Sequence, residues 1–516
     1  MDFQDYSRRA MSAIENYEWH AALISLQKLM ILDPESENWR LLYIKAAIKS
    51  HKYSQAEEVL EECNGDEVWY LKYKTKNLVR QGKFKRALAC CPDNMKNKVE
   101  LEVMQYELGT DTQVFKAFRK WLKLNGCQIS LTKVRNFEQK FRGVCAATYL
   151  PPYTKIVFIP DSLILYPEQC YSVLPPTTVI PFKSYHSIYA FFLAVESKNP
   201  KSFWAPYLNI LPKDFSNFPV FFDNREIQIL RGSSLLKMLE IQRQENVEDF
   251  SMVAETGLCT FEEFLKGKLL VSSRLHSIPA QNDLSGLVPF ADMFNHRRLS
   301  KISWSYDFDN KGFYIETANT SNRGEEIFID YGSKSNIKLM LAYGFALEEN
   351  EDDEFVMFLK LNKADELKDL KQELIRKVLF FHLTMKTDSK YFQDLLGFLR
   401  LKFCQDSEFI KKNQEKFYNL KNIQFVTIEN EVKVIDYLQT KCEKYLSEFG
   451  EFEGDLKESQ GNMRNCWLVR EGEIRVLKWG IRFCKDIKRI FCGEDQGPAD
   501  LSYQAYLSKL KGYIQF

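Results

Sequence analysis

Apolar residues recur at helical spacing early in the chain, gather into short runs through its middle, and return to helical spacing towards its end. Ala22, Leu23, Leu26, Leu29 and Met30 form one helix-period run, which Leu32-Asp33-Pro34 stops because proline cannot continue a helix. Ala56, Val59 and Leu60 begin another. Phe115, Phe118, Trp121 and Leu122 mark a further helical face ahead of Asn125-Gly126. Short segments of β type come next, Gly143-Val144-Cys145-Ala146-Ala147 and Lys155-Ile156-Val157-Phe158-Ile159-Pro160, and predict strands of a small irregular sheet. Residues 185–270 predict mostly helix, including Ser187 to Ser197 and an amphipathic stretch at 233–249. Strand patterns return at Ile302 to Tyr306, Gly312 to Glu316 and Glu326 to Tyr331. Beyond Asp352 the pattern is helical to the end, most clearly at 364–384, 391–404 and 428–447. The run from Glu348 to Glu354 holds six acids in seven residues and predicts a solvated junction between domains.

The early helices carry a repeat. Trp19, Tyr53 and Phe84 are spaced by 34 and 31 residues, and Ala22, Ala56 and Ala87 keep the same spacings. Small alanines let paired helices approach while the aromatic ring wedges between neighbours. The pattern resembles a tetratricopeptide-type array of two to three helical hairpins ending near residue 112; the other reading is an irregular helical domain with chance spacing. Such an array offers a surface for a protein partner, or braces the domain behind it.

Composition narrows the function classes. The 516 residues suggest about three domains, and 45% apolar with 14% aromatic residues is ample for several cores. Lys+Arg 71 against Asp+Glu 70 leaves a net charge of +1, so no basic field makes nucleic acid the default partner. The twelve cysteines form no CxxC pair and only six histidines accompany them, so structural zinc is not expected. No stretch approaches 18 uninterrupted apolar residues, so no membrane span is expected, and the acidic, polar Met1-Asp2-Phe3-Gln4-Asp5-Tyr6 is unlike a secretory signal. Free thiols point to a reducing compartment, cytosol or nucleus.

Three segments carry the candidate chemistry: Ser272-Ser273-Arg274; Leu287-Val288-Pro289-Phe290-Ala291-Asp292-Met293-Phe294-Asn295-His296; and Gly324-Glu325-Glu326-Ile327-Phe328-Ile329-Asp330-Tyr331-Gly332 with Tyr343-Gly344-Phe345 behind it. Asp292 and His296 have the i, i+4 spacing of metal ligands, but no second histidine or acid cluster completes a site. Taken in order, the three segments resemble the SET-domain protein methyltransferases, in the branch typified by the Rubisco large-subunit lysine methyltransferase, which also contains the actin-histidine methyltransferase. The resemblance extends to Phe118-x-x-Trp121-Leu122, Gly143-Val144, Ile159-Pro160 and Ser202-Phe203-Trp204-x-Pro206-Tyr207. In the tail it reaches Val469-Arg470-Glu471-Gly472-Glu473-Ile474-Arg475.

That resemblance implies an α+β chain: helical repeats over 1–112, a β-rich SET domain over 113–348 with a helical insertion at about 182–270, and an all-helical substrate-binding domain over 349–516. It implies S-adenosylmethionine as methyl donor and a protein side chain as acceptor. Backbone at Asn295-His296 would hold the adenine, the Asn295 side chain the amino-acid end, and Arg274 the carboxylate through its guanidinium fork. Gly143 would admit the methionine end, and Phe345 would stack near the adenine. Tyr331 would be catalytic, its hydroxyl accepting weak C–H···O contacts from the methyl. Trp304, Tyr306 and Tyr343 would wall an acceptor channel.

A lysine acceptor must first lose its proton, since only about one amine in 2,500 is neutral at pH 7, and an apolar channel helps that loss. Lysine is the expected acceptor. In histidine-modifying relatives a tryptophan stands where this chain has Ala291, and an asparagine where it has His276. The family's Gly-x-Gly loop is here Phe141-Arg142-Gly143, with one glycine lost, and Cys145 stands where relatives carry a basic residue. These departures leave a second reading, a SET-fold scaffold or assembly subunit without turnover. Histone methylation is a weaker third, since no cysteine-rich zinc module lies behind Phe345.

Overall fold

Strands on either side of the long helical stretch pair with one another in a computed structural model of the chain. The structure describes residues 3–15, 19–50, 52–62, 68–80, 86–87, 90–92, 113–137, 141–174, 182, 184–279, 285–375, 380–413, 420, 425–450 and 459–491. They fall into two units. Residues up to Cys170, Asn199–Leu211 and Arg274–Tyr331 form the first; Tyr171–Lys198, Pro212–Ser273 and Gly332 onwards form the second.

The first unit opens with helices α1 (Phe3–Glu15), α2 (Trp19–Leu32), α3 (Glu37–Lys49), α4 (Tyr53–Glu62) and α5 (Val68–Arg80), each packed on the next. Trp19 and Tyr53 begin α2 and α4, and α2 stops two residues before Pro34. Ala10, Ala22, Ala46, Ala47 and Ala56 are fully enclosed, so the helices meet through methyl groups. Phe84 and most of 81–112 lie outside the described residues.

After α6 (Gln113–Leu124) come β1 (Thr132–Phe137), β2 (Phe141–Ala146) and β3 (Lys155–Pro160). The later strands of this unit are β4 (Leu275–Ser277), β5 (Ser285–Leu287), β6 (Asn295–His296), β7 (Ser303–Asp307), β8 (Gly312–Glu316) and β9 (Glu326–Ile329). They build a four-stranded sheet in the order β1-β2-β9-β6, a three-stranded sheet β3-β8-β7 and the pair β4-β5. Only β6 and β9 run parallel, with Asn295 opposite Phe328 and His296 opposite Ile329. The aromatic motifs at 118–121 and 202–207 turn out to be one contact: Phe118 lies against Tyr207, and Trp121 meets Phe203 and Trp204 edge-on.

The second unit contains α7 (Tyr185–Glu196), α8 (Ser234–Ser251), α9 (Phe261–Arg274, whose last residue counts with the first unit), α10 (Asn336–Tyr343), α11 (Lys390–Phe403), α12 (Ile428–Glu448) and α13 (Gly461–Phe491). Its tail is not all helical. Among the described residues of the 364–384 stretch helix forms only over Lys368–Leu374, and Phe381–Thr384 is a strand, β11, antiparallel to β10 (Glu354–Met357). Phe381 stacks on Phe398 at 4.3 Å between ring centroids, and Leu383 is enclosed, so tertiary packing decides a segment whose local pattern fits either state.

The acidic run is solvated only in part: Glu348, Glu349 and Glu351 are exposed, but its end is enclosed. Asn350, Asp353 and Glu354 are at most 3% exposed, because each acid meets a donor. Asp353 accepts from the Asn336 N–H at 3.0 Å and from Arg475 at 2.9 Å. Glu354 accepts from the Ser335 hydroxyl at 2.7 Å and lies 3.0 Å from Lys338. Among the described residues no helix is long and apolar enough to cross a membrane, and no group of three His, Cys, Asp or Glu side chains could hold a metal ion.

Candidate functional site

The site grows from the parallel pair β6–β9. The chain enters β6 through Phe290, whose φ of 76° is the left-handed region a bulky residue rarely adopts, and a 3-10 turn over Ala291–Met293 comes next. That kink delivers Asn295 and His296 beside β9, and Tyr331 stands two residues beyond the end of β9. Tyr331 is clasped twice. Its N–H donates to His296 Nδ1 at 3.0 Å, its hydroxyl donates to the Phe294 carbonyl at 2.7 Å, and its ring stacks on His296 with centroids 5.0 Å apart. Because Nδ1 accepts that N–H, the ring proton belongs on Nε2, and Asp330 lies 3.8 Å from Nδ1. A hydroxyl that donates to a carbonyl still has lone pairs with which to accept from an incoming group.

Asn295 faces β2. Its amide nitrogen donates to the Arg142 carbonyl at 3.1 Å and to Glu326 Oε1 at 2.8 Å. A β-carbon at Gly143 would come within 2.3 Å of Glu326 Oε1 and 2.6 Å of Asn295 Nδ2, so any other residue there would push these two side chains aside. The glycine that the Phe141-Arg142-Gly143 loop keeps is thus the one against which Asn295 and Glu326 lie. The Arg142 side chain bonds the Ile210 carbonyl at 2.7 Å and lies over the Phe115 ring. Cys145, paired with Glu326 across the strands, is fully enclosed, and burial pushes its thiol up to about 11, so it stays neutral where relatives carry a base.

A second buried group stands behind Arg274. Its Nη1 donates to Asp292 Oδ2 at 3.0 Å and to the Asp292 carbonyl at 2.8 Å, and the Tyr207 hydroxyl donates to the same Oδ2 at 2.8 Å. Burial pushes the Tyr207 phenol far above its usual range, with Asp292 adding to the effect. Burial lowers Arg142 to about 10, and the nearby Arg274 charge works in the same sense. Arg274 Nε and Asp292 Oδ1 are buried without a partner. Two guanidiniums, one carboxylate and two open hydrogen-bonding atoms suit a small zwitterion, with Arg274 Nε for a carboxylate and Asp292 Oδ1 or Asn295 Oδ1 for an ammonium.

The remaining predicted residues belong to other elements. Trp304 and Tyr306 are on β7, in the other sheet. The Tyr306 hydroxyl donates to Asp161 at 3.0 Å, and burial together with that bond raises its pKa to about 12. His276 is a packed histidine, edge-on to Trp304 and Phe313, its Nδ1 3.1 Å from the Arg274 carbonyl; burial lowers its pKa. Ala291 is fully enclosed. Tyr343 and Phe345 belong to the second unit, their rings edge-on at 6.1 Å, and burial raises Tyr343 to about 12. Sequence reasoning assigned no role to Glu326 or Tyr207 and saw Asp292 only as a metal candidate. The signal that points to Asp292 is a charge inside the apolar run 287–294, which demands a partner.

Comparison with known proteins fits this arrangement. A family model described as SET domain matches residues 142–332, and one described as Rubisco LSMT substrate-binding matches 362–477. The chain carries a SET domain followed by a Rubisco LSMT substrate-binding domain. Similar curated proteins are the actin-histidine N-methyltransferases of Gallus gallus, 24% identical over 66% of this chain, and of Homo sapiens, 24% identical over 72%. The matched part spans 62% of the chicken protein and 69% of the human one. The fold resembles that of Rubisco LSMT bound to AdoMet (TM-score 0.61, 20% identity, 77% of this chain and 96% of that one). It equally resembles the SET domain of LSMT bound to MeLysine and AdoHcy (TM-score 0.61, 20% identity, 78% and 96%).

Proposed function

We propose that this chain methylates a protein side chain, with S-adenosylmethionine as donor and lysine as acceptor. The observation that carries the reading is the clasped Tyr331, held by His296 and Phe294 on the same strand pair that places Asn295 against Gly143 and Glu326. The donor, when bound, supplies an activated methyl group on sulfur. Asn295 and Arg274 would hold its two charged ends, with Gly143 packed beside Asn295. Tyr331 would line the path of the methyl with a fixed hydroxyl oxygen. Alignment of this kind contributes roughly 7–11 kcal/mol to such transfers. As the new C–N bond forms and the C–S bond breaks, the acceptor nitrogen must already have given its proton to solvent.

Lysine is favoured by the small Ala291, while His276, a packed histidine, matches neither the lysine-modifying nor the histidine-modifying pattern. The named relatives favour histidine as the second reading. The non-catalytic scaffold draws support from the lost glycine at Phe141, yet the Arg142 carbonyl still meets Asn295. We assign the N-terminal helices a docking role for a protein partner and place the chain in the cytosol or nucleus. The test is methylation of cell extract with labelled donor, with Tyr331→Phe as control and mass spectrometry of the product. Label on lysine that disappears in the variant is expected; label on histidine alone would replace the acceptor, and no label with intact donor binding would favour the scaffold.

A further inference from the structure

We infer that Glu326 is a positioning residue for the amino-acid end of the donor, acting by fixing which way the Asn295 amide faces; this rests on the donor-binding reading above. The amide nitrogen of Asn295 carries two hydrogens, and both are spent, on the Arg142 carbonyl at 3.1 Å and on Glu326 Oε1 at 2.8 Å. Neither partner atom can donate. Turning the amide over would set its oxygen against a carbonyl and a carboxylate, so these two acceptors hold a single orientation. Oδ1 is then the atom Asn295 offers to a ligand. An oxygen selects a hydrogen-bond donor, so Asn295 takes the α-ammonium and leaves the α-carboxylate to Arg274, whose Nε is open. Glu326 also sets a carboxylate at the edge of the same corner, where it favours a cation. Gly143 lies against both groups, and a methyl group there would push Glu326 Oε1 and Asn295 Nδ2 out of place.

Glutamine at 326 would keep the shape and lose the discrimination. Its own NH2 can meet the oxygen of a turned Asn295, so only the Arg142 carbonyl still opposes the turn, and the charge is gone. The test is calorimetry on the full chain with two probes. S-adenosylhomocysteine keeps the amino-acid end; 5′-methylthioadenosine keeps the adenosine and thioether and lacks it. Glu326→Gln should weaken S-adenosylhomocysteine about tenfold, the scale of one charge-assisted hydrogen bond, and leave methylthioadenosine within about twofold. Glu326→Asp, which keeps the charge on a shorter stem, should lose less and serves the same comparison if the glutamine variant does not fold. Equal weakening of both probes, or unchanged affinity for S-adenosylhomocysteine, would overturn the inference while donor binding stands. An unaltered chain that binds neither probe would overturn the donor reading and the inference together.

Discussion

The Asp353 carboxylate lies against the α-carbon of Gly472, so close that a β-carbon there would meet Oδ2 at 2.1 Å. The contact is one edge of a buried polar clamp within the second unit. Next along α13, Glu473 Oε1 accepts from the Ser234 N–H at 3.0 Å and from its hydroxyl at 2.5 Å. Arg470 donates to four carbonyls, those of Ile229, Arg231, Phe449 and Gly450. The Val469 to Arg475 motif is thus largely accounted for by structure, since Arg470, Glu473 and Arg475 satisfy backbone and side-chain groups from distant segments.

Gly472→Ala should therefore destabilise the fold by about 1–3 kcal/mol, the usual range for overpacking against a group that cannot yield. Urea unfolding of the purified chain measures it. A midpoint equal to that of the unaltered chain would show that Asp353 can move aside.

The same clamp predicts a pH dependence. Burial raises Asp353 to about 7, against the opposing pull of the Asn336 N–H and Arg475, and raises Glu473 to about 8 against the bonds from Ser233 and Ser234. In the unfolded chain both ionise near about 4. Between those values the folded state binds more protons, so stability is full below about pH 4, falls as pH rises towards 7 to 8, and is level beyond. Glu473→Gln keeps an acceptor for Ser234 and removes one titration. Its urea midpoint should fall less between pH 5 and pH 8 than that of the unaltered chain, and parallel curves would refute the assignment.

Tyr207→Phe should cost about 1–3 kcal/mol, because Asp292 loses one of the bonds that make its enclosed carboxylate tolerable. With Arg274 then holding the carboxylate alone, affinity for S-adenosylhomocysteine should also drop. Thermal unfolding and calorimetry read the two effects separately. A variant as stable as the parent would mean that water replaces the phenol.

Acceptor identity can be read from rate against pH. Transfer to lysine should keep climbing above pH 8 as the amine deprotonates from a reference pKa near about 10.4, whereas an imidazole near about 6.5 gains little there. Single-turnover rates on the identified substrate at pH 7, 8 and 9 decide it, and a plateau above pH 8 would favour histidine.

Periodicity was enough to locate the helix ending before Pro34, the helices near 391–404 and 428–447, and the strands that became β2, β3, β7, β8 and β9. Local pattern failed where distant partners decide. The acids at 353 and 354 look solvated until Arg475 and Lys338 are brought to them from 122 and 16 residues away. Phe381 to Thr384 fits a helix until β10 offers it hydrogen bonds. At the site, Asn295, His296 and Tyr331 stood out through motif resemblance. Glu326 did not, because nothing in a strand's alternation tells which residue across a parallel pair it will face.

That parallel pair makes β9 a gauge between the two ends of the site. Glu326 at its start is bonded to Asn295, Tyr331 beyond its finish is bonded to His296, and Asn295 and His296 are neighbours in one short strand. Adding one residue within Ile327 to Ile329 would displace one end by about 3.3 Å, more than a hydrogen bond can stretch. The chain could then keep the amide corner or the tyrosine clasp, never both, so the length of this strand is as much a part of the site as any side chain on it.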